Sequence, residues 1–366
     1  MSNRRVRLAD IAELTVGYVG NMAKQYTETG VKFLRSLNIK PFHIVEDDLK
    51  YISEEFSESL SKSILHENDL IIVRTGMPGT CCVVPKEYEK CNCADVVIVR
   101  PNLKKVNPHY LAAYINVWGK KQVENNKVGA IQKHFNVKSA EEMLIDLPDL
   151  EQQYKVAKVL TDLNGKIFIN EKINDYLEQL LCLLYENMMN DAQTGNITGH
   201  NTIASALTNI VTGKEDANFS SPNGKYNFFT CSSNTLKCDE YAFNASSILI
   251  AGNGEFNVKH YTGKFNAYQR TYVLMPDLKY YALLYLASMY QIKSFKSAAS
   301  GSIVKFITKG DIENIPIFIP DNKAILNKFN RLLMLQEQYQ KESDELASIR
   351  DWLLPMLMNG QATIKD

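Results

Sequence analysis

Residues 145–153 read IDLPDLEQQ, and residues 317–325 read IFIPDNKAI. In each, a short apolar run meets a proline, and a long stretch with a regular apolar stripe follows. A helix entrance does not use its first N–H groups, so proline suits a junction from strand to helix. The pair predicts one long helix after Pro148 and another after Pro320. In the first, a 4-3 register puts Val156, Val159, Leu163, Ile173, Leu177, Leu180 and Leu184 on one seam, interrupted by Lys166 and Asn170. In the second, Ile325, Phe329, Leu332, Tyr339, Leu346, Leu353 and Leu357 share a seam interrupted by Gln336, Ser343 and Arg350. Seams this sustained predict helices packed on each other as a coiled coil, with the polar interruptions fixing register. The plainer alternative is an amphipathic helix lying on each domain. It is the weaker reading, because a helix of about 40 residues spans about 60 Å and outruns a small domain.

Outward from these junctions the chain repeats. DLIIVRTG (Asp69–Gly76) is echoed by SILIAGNG (Ser247–Gly254), and VIVRPNLK (Val97–Lys104) by YVLMPDLK (Tyr272–Lys279). GAIQKHFNV (Gly129–Val137) is echoed by GSIVKFITK (Gly301–Lys309). With the two proline junctions this makes four pairs in the same order, at offsets between 172 and 178 residues. The runs Leu70–Val73, Val96–Val99 and Ile248–Ile250 are apolar, β-branched and bounded by turn formers, which predicts strands. Short helices are expected near Tyr110–Val117 and Tyr280–Tyr290. The fold class is α+β, with a curved mixed sheet in each half. The polar segment DAQTGNITGHN (Asp191–Asn201) is the best boundary, and Asn359-Gly360 suits a helix end. Four blocks result: a domain over 1–148, a long helix over 149–192, a linker and second domain over 193–320, and a second long helix over 321–366.

Composition narrows the class. Lys plus Arg and Asp plus Glu both number 41, giving zero net charge. The two domain blocks are slightly basic and the two helical blocks slightly acidic, which is weak evidence on its own. A phosphate-binding surface needs positive charge only where it meets the backbone. So small an excess predicts weak DNA binding by the chain alone. No run of about 20 apolar residues suggests a membrane span. The opening MSNRRVRLADIAEL becomes charged again before an apolar run develops, unlike a secretory leader. Seven cysteines in no disulfide framework fit a reducing cytosol, so a cytoplasmic location is expected. Cys81, Cys82, Cys91 and Cys93 lack the paired CxxC knuckles of common zinc sites, and ordinary thiols are the expected reading.

Catalytic signatures are absent. There is no NPPY-type methyltransferase motif and no phosphate-binding GxxxxGK[ST] loop, and Gly252-Asn253-Gly254 does not reach the third glycine of a dinucleotide fingerprint. The six histidines form no HxxxH or HExxH pair. Asp48 and Lys50 imitate part of a nuclease site, but they sit in the charged run EDDLK, which reads as a solvated turn. The sequence describes a reader rather than a catalyst.

At this point the chain resembles the specificity subunit of type I restriction-modification enzymes. The marks are VRLADIAELTVG near the start, the DLIIVRTG strand and the junction LPDLEQQYKVAKVLTDLNGKIFINEKIN (Leu147–Asn174). GKFNAYQRTYV (Gly263–Val273) and LLPMLMNGQATI (Leu353–Ile364) add to them. The second junction lacks the Glu-Gln-Gln of the first, and TIASALTNIVTGK matches the first opening weakly. The resemblance implies two target-recognition domains, each reading half of a split double-stranded DNA sequence, around an antiparallel pair of spacer helices with pseudo-two-fold symmetry. It also implies two modification (methyltransferase) subunits and usually two restriction (motor-nuclease) subunits as partners. S-adenosylmethionine, ATP and Mg would be bound there, with no cofactor or metal on this chain.

Arg and Lys bond guanine bidentately, as Asn and Gln do adenine, and loops after strands present such groups. The DNA-facing candidates are Arg74, Thr75, Gln132, Lys133 and His134 in the first domain. In the second they are Lys225, Asn253, Lys259, Arg270 and Lys305. Tyr261 and Tyr268 are expected in the core or at a sheet edge. The competing readings are a methylase or nuclease fragment, and an adaptor that binds partners through its helices without reading DNA.

Overall fold

The computed structural model describes residues 4–119, 122, 135–298, 306–358, 361, 362 and 364. The chain divides into two compact units. Unit 1 comprises Met1–Ile169 with Ser343–Asp366, and unit 2 comprises Asn170–Glu342. Each unit thus takes in part of both long helices.

In unit 1 a four-stranded antiparallel sheet runs in the order Ala12–Val16, Val96–Pro101, Leu70–Val73, Cys81–Val83. Every residue of Leu70–Val73 is buried because both faces of the sheet are covered. Leu70, Ile72, Val97 and Val99 face one cluster, which includes the helix Pro108–Tyr114. Ile71, Val73, Val96 and Ile98 face the other. The cysteines divide in the same way. Cys81 joins the first cluster, while Cys82, Cys91 and Cys93 join the second. All seven cysteines are unpaired, and burial pushes the Cys91 thiol up to about 11. Among the described residues no cluster of His, Cys, Asp or Glu suits a metal. A smaller sheet, Asn92–Cys93, Val31–Leu34, Lys50–Ile52 and Tyr26–Thr27, carries one parallel pairing. Beside it Asp48 is bonded by Arg35 and Lys50, which hold its carboxyl down to about 2, as befits a charged turn.

Unit 2 repeats the plan and extends it. Its six-stranded mixed sheet runs Ile210–Thr212, Thr271–Leu274, Phe243–Ala251, Val258–Ala267, Tyr226–Phe229, Leu236–Cys238. The first four strands match the unit 1 sheet in order and direction. Ile248, Ile250 and Leu274 face the helix Tyr281–Ala298, while Leu249 and Val273 face Phe229 and Phe265.

The junctions match too. Arg4–Arg7 pairs antiparallel with Leu144–Leu147, and Gly199–Ile203 with Pro316–Pro320. The Leu8 N–H donates to Met143 at 2.8 Å, and the Ala204 N–H to Ile315 at 3.0 Å. Gly17 donates to Val96 at 2.9 Å, and Gly213 to Thr271 at 3.1 Å. Leu8 to Ala204 and Gly17 to Gly213 are both offsets of 196 residues, against 178 or fewer farther along. That change of offset explains why the second opening matches the first so weakly as text.

The first long helix is Leu150–Gln193, 44 residues, and the second is Lys323–Met358, 36 residues. Asn359 and Gly360, expected at the second helix end, lie outside the described residues. In unit 1, Val156, Ala157 and Leu160 share a core with Leu354, Leu357 and Met358. In unit 2, Leu181, Tyr185 and Met188 share one with Leu326, Phe329 and Leu333. The expected seam needs correction in detail. Val156, Leu177, Phe329 and Leu357 are buried, but Leu180 is 40% exposed and Leu181 takes its place. Val159, Leu163, Ile173, Leu184, Ile325, Leu332, Tyr339, Leu346 and Leu353 are only half-buried. Adjacent leucines caused the slip. Leu180-Leu181, Leu332-Leu333 and Leu353-Leu354 each offer two apolar choices one residue apart, and periodicity alone does not choose between them.

The polar interruptions lie on the buried seam, except Lys166, which is exposed. Asn170, Gln336 and Ser343 are buried. Within unit 2, Asn170 donates to Glu342 at 2.8 Å, and Gln336 donates to the Asn174 carbonyl at 3.4 Å and Glu178 at 3.3 Å. Within unit 1, Arg350 donates to Asn164 at 3.0 Å.

Candidate nucleic-acid interface

In unit 1 the buried strand Leu70–Val73 ends at Arg74, and the chain turns through Gly76 at a φ of 77°. Arg74 reaches two ways. Its Nε donates to the Phe135 carbonyl at 3.1 Å, and its Nη1 to Asp95 Oδ1 at 3.0 Å. Thr75 donates its hydroxyl to the other oxygen of Asp95, also at 3.0 Å. Asp95 occupies the left-handed region, at φ 52°, just before the strand Val96–Pro101, and its N–H donates to the Tyr18 carbonyl. Two partners of opposite charge and a hydroxyl thus tie three loops into one pole. The Arg74 side chain is 17% exposed and already paired, so it shapes this pole more than it offers a free cation. Gln132, Lys133 and His134 lie outside the described residues, but Phe135, which follows them, is the residue that Arg74 holds.

Unit 2 builds the corresponding pole from backbone. The equivalent of Arg74, at an offset of 178, is Gly252. Its N–H donates to the Arg270 carbonyl at 2.9 Å, and its carbonyl accepts from the Ile307 N–H at 2.8 Å. Ile307 is the equivalent of Phe135, at an offset of 172. A Cβ at Gly252 would lie 2.7 Å from the Arg270 oxygen, so only glycine permits this approach. The turn Gly252–Asn257 is also bound to the neighbouring loop. Asn257 donates to the Cys231 carbonyl at 3.0 Å, and Glu255 accepts from the Ser233 N–H at 2.5 Å.

Three of the sequence candidates therefore meet here. Asn253 stands in the turn, and Arg270 is exposed beside it. Lys259 lies half-buried on the strand Val258–Ala267 and donates to the Ser232 carbonyl at 2.5 Å. Burial lowers its pKa, and its Nζ stands 5.8 Å from the Phe229 ring centre, so it acts as a clamp on the loop. Lys225 is not part of this group. It precedes the strand Tyr226–Phe229 at the end away from the loop, 5.5 Å from the Tyr226 ring. Lys305 lies outside the described residues. Tyr261 packs on Phe229 and Phe265, and Tyr268 is half-buried at the end of its strand. Sequence reasoning missed Asp95, Ser232, Ser233 and Glu255. The turn-forming SSN after a strand was a signal for two of them. Asp95 had no such signal, because its role depends on the fold.

The poles are alike in position and unlike in chemistry. Residues 3–179 and 205–343 match the model of the type I restriction modification DNA specificity domain. The chain belongs to that family. The specificity subunit of the type I restriction enzyme EcoDI, from Escherichia coli, is 38% identical over 164 residues, covering 43% of this chain and 37% of that protein. The chain thus spans well under two thirds of that relative. A putative type I specificity subunit, MjaX of Methanocaldococcus jannaschii, is 21% identical over 92% of this chain and 83% of its own length. The crystal structure of a type I restriction-modification S subunit from M. genitalium shares the fold. Its TM-score is 0.58 at 17% identity, covering 98% of this chain and 99% of that one. Among the described residues no helix is long and apolar enough to cross a membrane.

Proposed function

We propose that this chain is the non-catalytic sequence-reading subunit of a type I restriction-modification complex, and that each unit reads one half of a bipartite double-stranded DNA target. The observation that carries this reading is the duplicated pole. The same strand end, the same returning segment and the same neighbouring strand meet in both units, but Arg74, Thr75 and Asp95 in one give way to Gly252, Asn253 and Arg270 in the other. A scaffold kept constant while its loop chemistry varies is what reading two unlike half-sites requires.

The long helices set the spacing between half-sites and dock two modification subunits, with two restriction subunits completing the usual assembly. Exposed apolar side chains on these helices support a docking role. On the first helix, within unit 2, Tyr176, Leu180 and Leu183 are exposed at a spacing that shares one face. On the second, within unit 1, Ile349 and Trp352 are exposed one turn apart. S-adenosylmethionine, ATP and Mg act in those partners. Methylome sequencing of a host carrying this chain with its modification partner tests the reading. A two-part methylated motif that appears only with this chain is expected, and no new motif from an active complex would refute it.

A further inference from the structure

Glu337 is a half-buried charge that the shared fold does not need. It lies on the second long helix within unit 2, facing the strand Val258–Ala267 and the helix Tyr281–Ala298. Its Oε1 accepts from the Tyr281 hydroxyl at 2.7 Å and lies 3.0 Å from His260 Nδ1. The His260 ring meets Tyr285 edge-on at 4.6 Å. The side chains of His260 and Glu337 are only 13% and 20% exposed.

Unit 1 supplies the control. At the offset of 172 set by the proline junctions, Glu337 corresponds to Gly165, where an added Cβ would meet nothing within 4 Å. His260 pairs with Ile248 as Val83 pairs with Leu70, so the position of His260 is held in unit 1 by an apolar residue of the core. Unit 1 completes its sheet-and-helix packing without this carboxylate or this imidazole. Buried ionic groups exchanged for apolar ones are often neutral or even stabilising, so stability alone does not account for the network.

Its connections suggest what does. Side chains alternate across a strand, so His260 and Lys259 face opposite sides of the sheet. His260 is pinned to the helix by Glu337, and Lys259 holds the Ser232 carbonyl of the loop beside Asn253 and Arg270. We propose that Glu337 is a positioning residue for the second recognition unit: through His260 it fixes the strand that carries Lys259, and so the loops that face the bases. This rests on the specificity-subunit reading above.

The test uses the complex of the full chain with its modification partner. Duplexes carry the target found by methylome sequencing, or that target with one base pair changed in either half-site. The double substitution His260→Val with Glu337→Ala imitates unit 1 and leaves no unpartnered half-buried charge. It is expected to fold, and to lower discrimination about tenfold at the half-site read by unit 2 with no change at the other. Glu337→Gln retains an acceptor for Tyr281 and a polar partner for His260, and is expected to restore discrimination to near the wild-type level. Unchanged discrimination in the double variant, equal loss at both half-sites, failure of the double variant to fold, or no rescue by Glu337→Gln would each overturn the proposal. A wild-type complex with no half-site preference would instead overturn the specificity-subunit reading on which it rests.

Discussion

Asp95 is held 3.0 Å from the guanidinium of Arg74, and that guanidinium also carries the carbonyl of Phe135. One side chain thus joins the turn after a core strand to the backbone at Phe135. Arg74→Ala is expected to destabilise unit 1 by about 1–3 kcal/mol, the usual range for losing a charged partner at a half-buried site. It should also weaken reading of the first half-site and leave the second intact. Arg74→Lys should recover little of either, because an ammonium lacks the fork that serves two acceptors at once. Thermal melting together with half-site binding assays checks both expectations.

Gln336 points to a change of the opposite sign. It is buried on the helix seam, its Oε1 has no hydrogen-bond partner among the described residues, and its donated bonds are long at 3.3 and 3.4 Å. Gln336→Leu removes an unsatisfied buried group and adds apolar contact. It is expected to stabilise the protein by about 1 kcal/mol, raising Tm by a few degrees. Calorimetry would show it, and a lower Tm would mean that the weak bonds matter more than the stranded oxygen.

Glu337 gives a pH dependence. Burial works to raise its pKa, but bonds from His260 and Tyr281 outweigh burial and leave it below the usual value of 4.5. A depressed carboxylate contributes stability that is present above its unfolded pKa and is lost as pH falls through its folded value. The stability difference between wild type and Glu337→Gln should therefore be present above the ordinary carboxylate range and shrink progressively below a pH of about 4.5. Urea titrations at pH 7 and pH 4 measure it. A difference that grows on acidification would contradict the assigned sign.

The helices give a length prediction. Matched insertions of four residues after Gly165 and after Ser348, close to the Asn164 to Arg350 contact, should lengthen both helices by about 6 Å. That is one to two base pairs of DNA rise. Four residues approximate one helical turn, so both half-sites should persist in the methylome while the gap between them grows. An unchanged gap in an active complex would mean that something other than the helices sets the spacing.

Much of the fold was legible in the sequence because its strongest signals are local. Pro148 and Pro320 mark strand-to-helix junctions through their missing N–H, and Leu70–Val73 announces a fully buried strand. What was hidden depends on contacts distant in sequence. The pairing of Gly199–Ile203 with Pro316–Pro320 lies behind a shift of the repeat offset, and the choice of Leu181 over Leu180 is made by Leu326, Phe329 and Leu333. At the candidate interface, residue type singled out Arg74, Asn253, Lys259 and Arg270 as candidates, and the fold gathers them at two poles. Residue type did not distinguish a cation that faces outward, as Arg270 does, from one spent on Asp95 or on the Ser232 carbonyl.

The central claim is that two units read independently, and domain exchange addresses it most directly. Residues 1–148 are replaced by the corresponding domain of a relative with a different target, and the methylome is sequenced in the presence of the modification partner. One half of the motif should change to the relative's while the other half and the gap stay as they were. A motif in which both halves change together would contradict it.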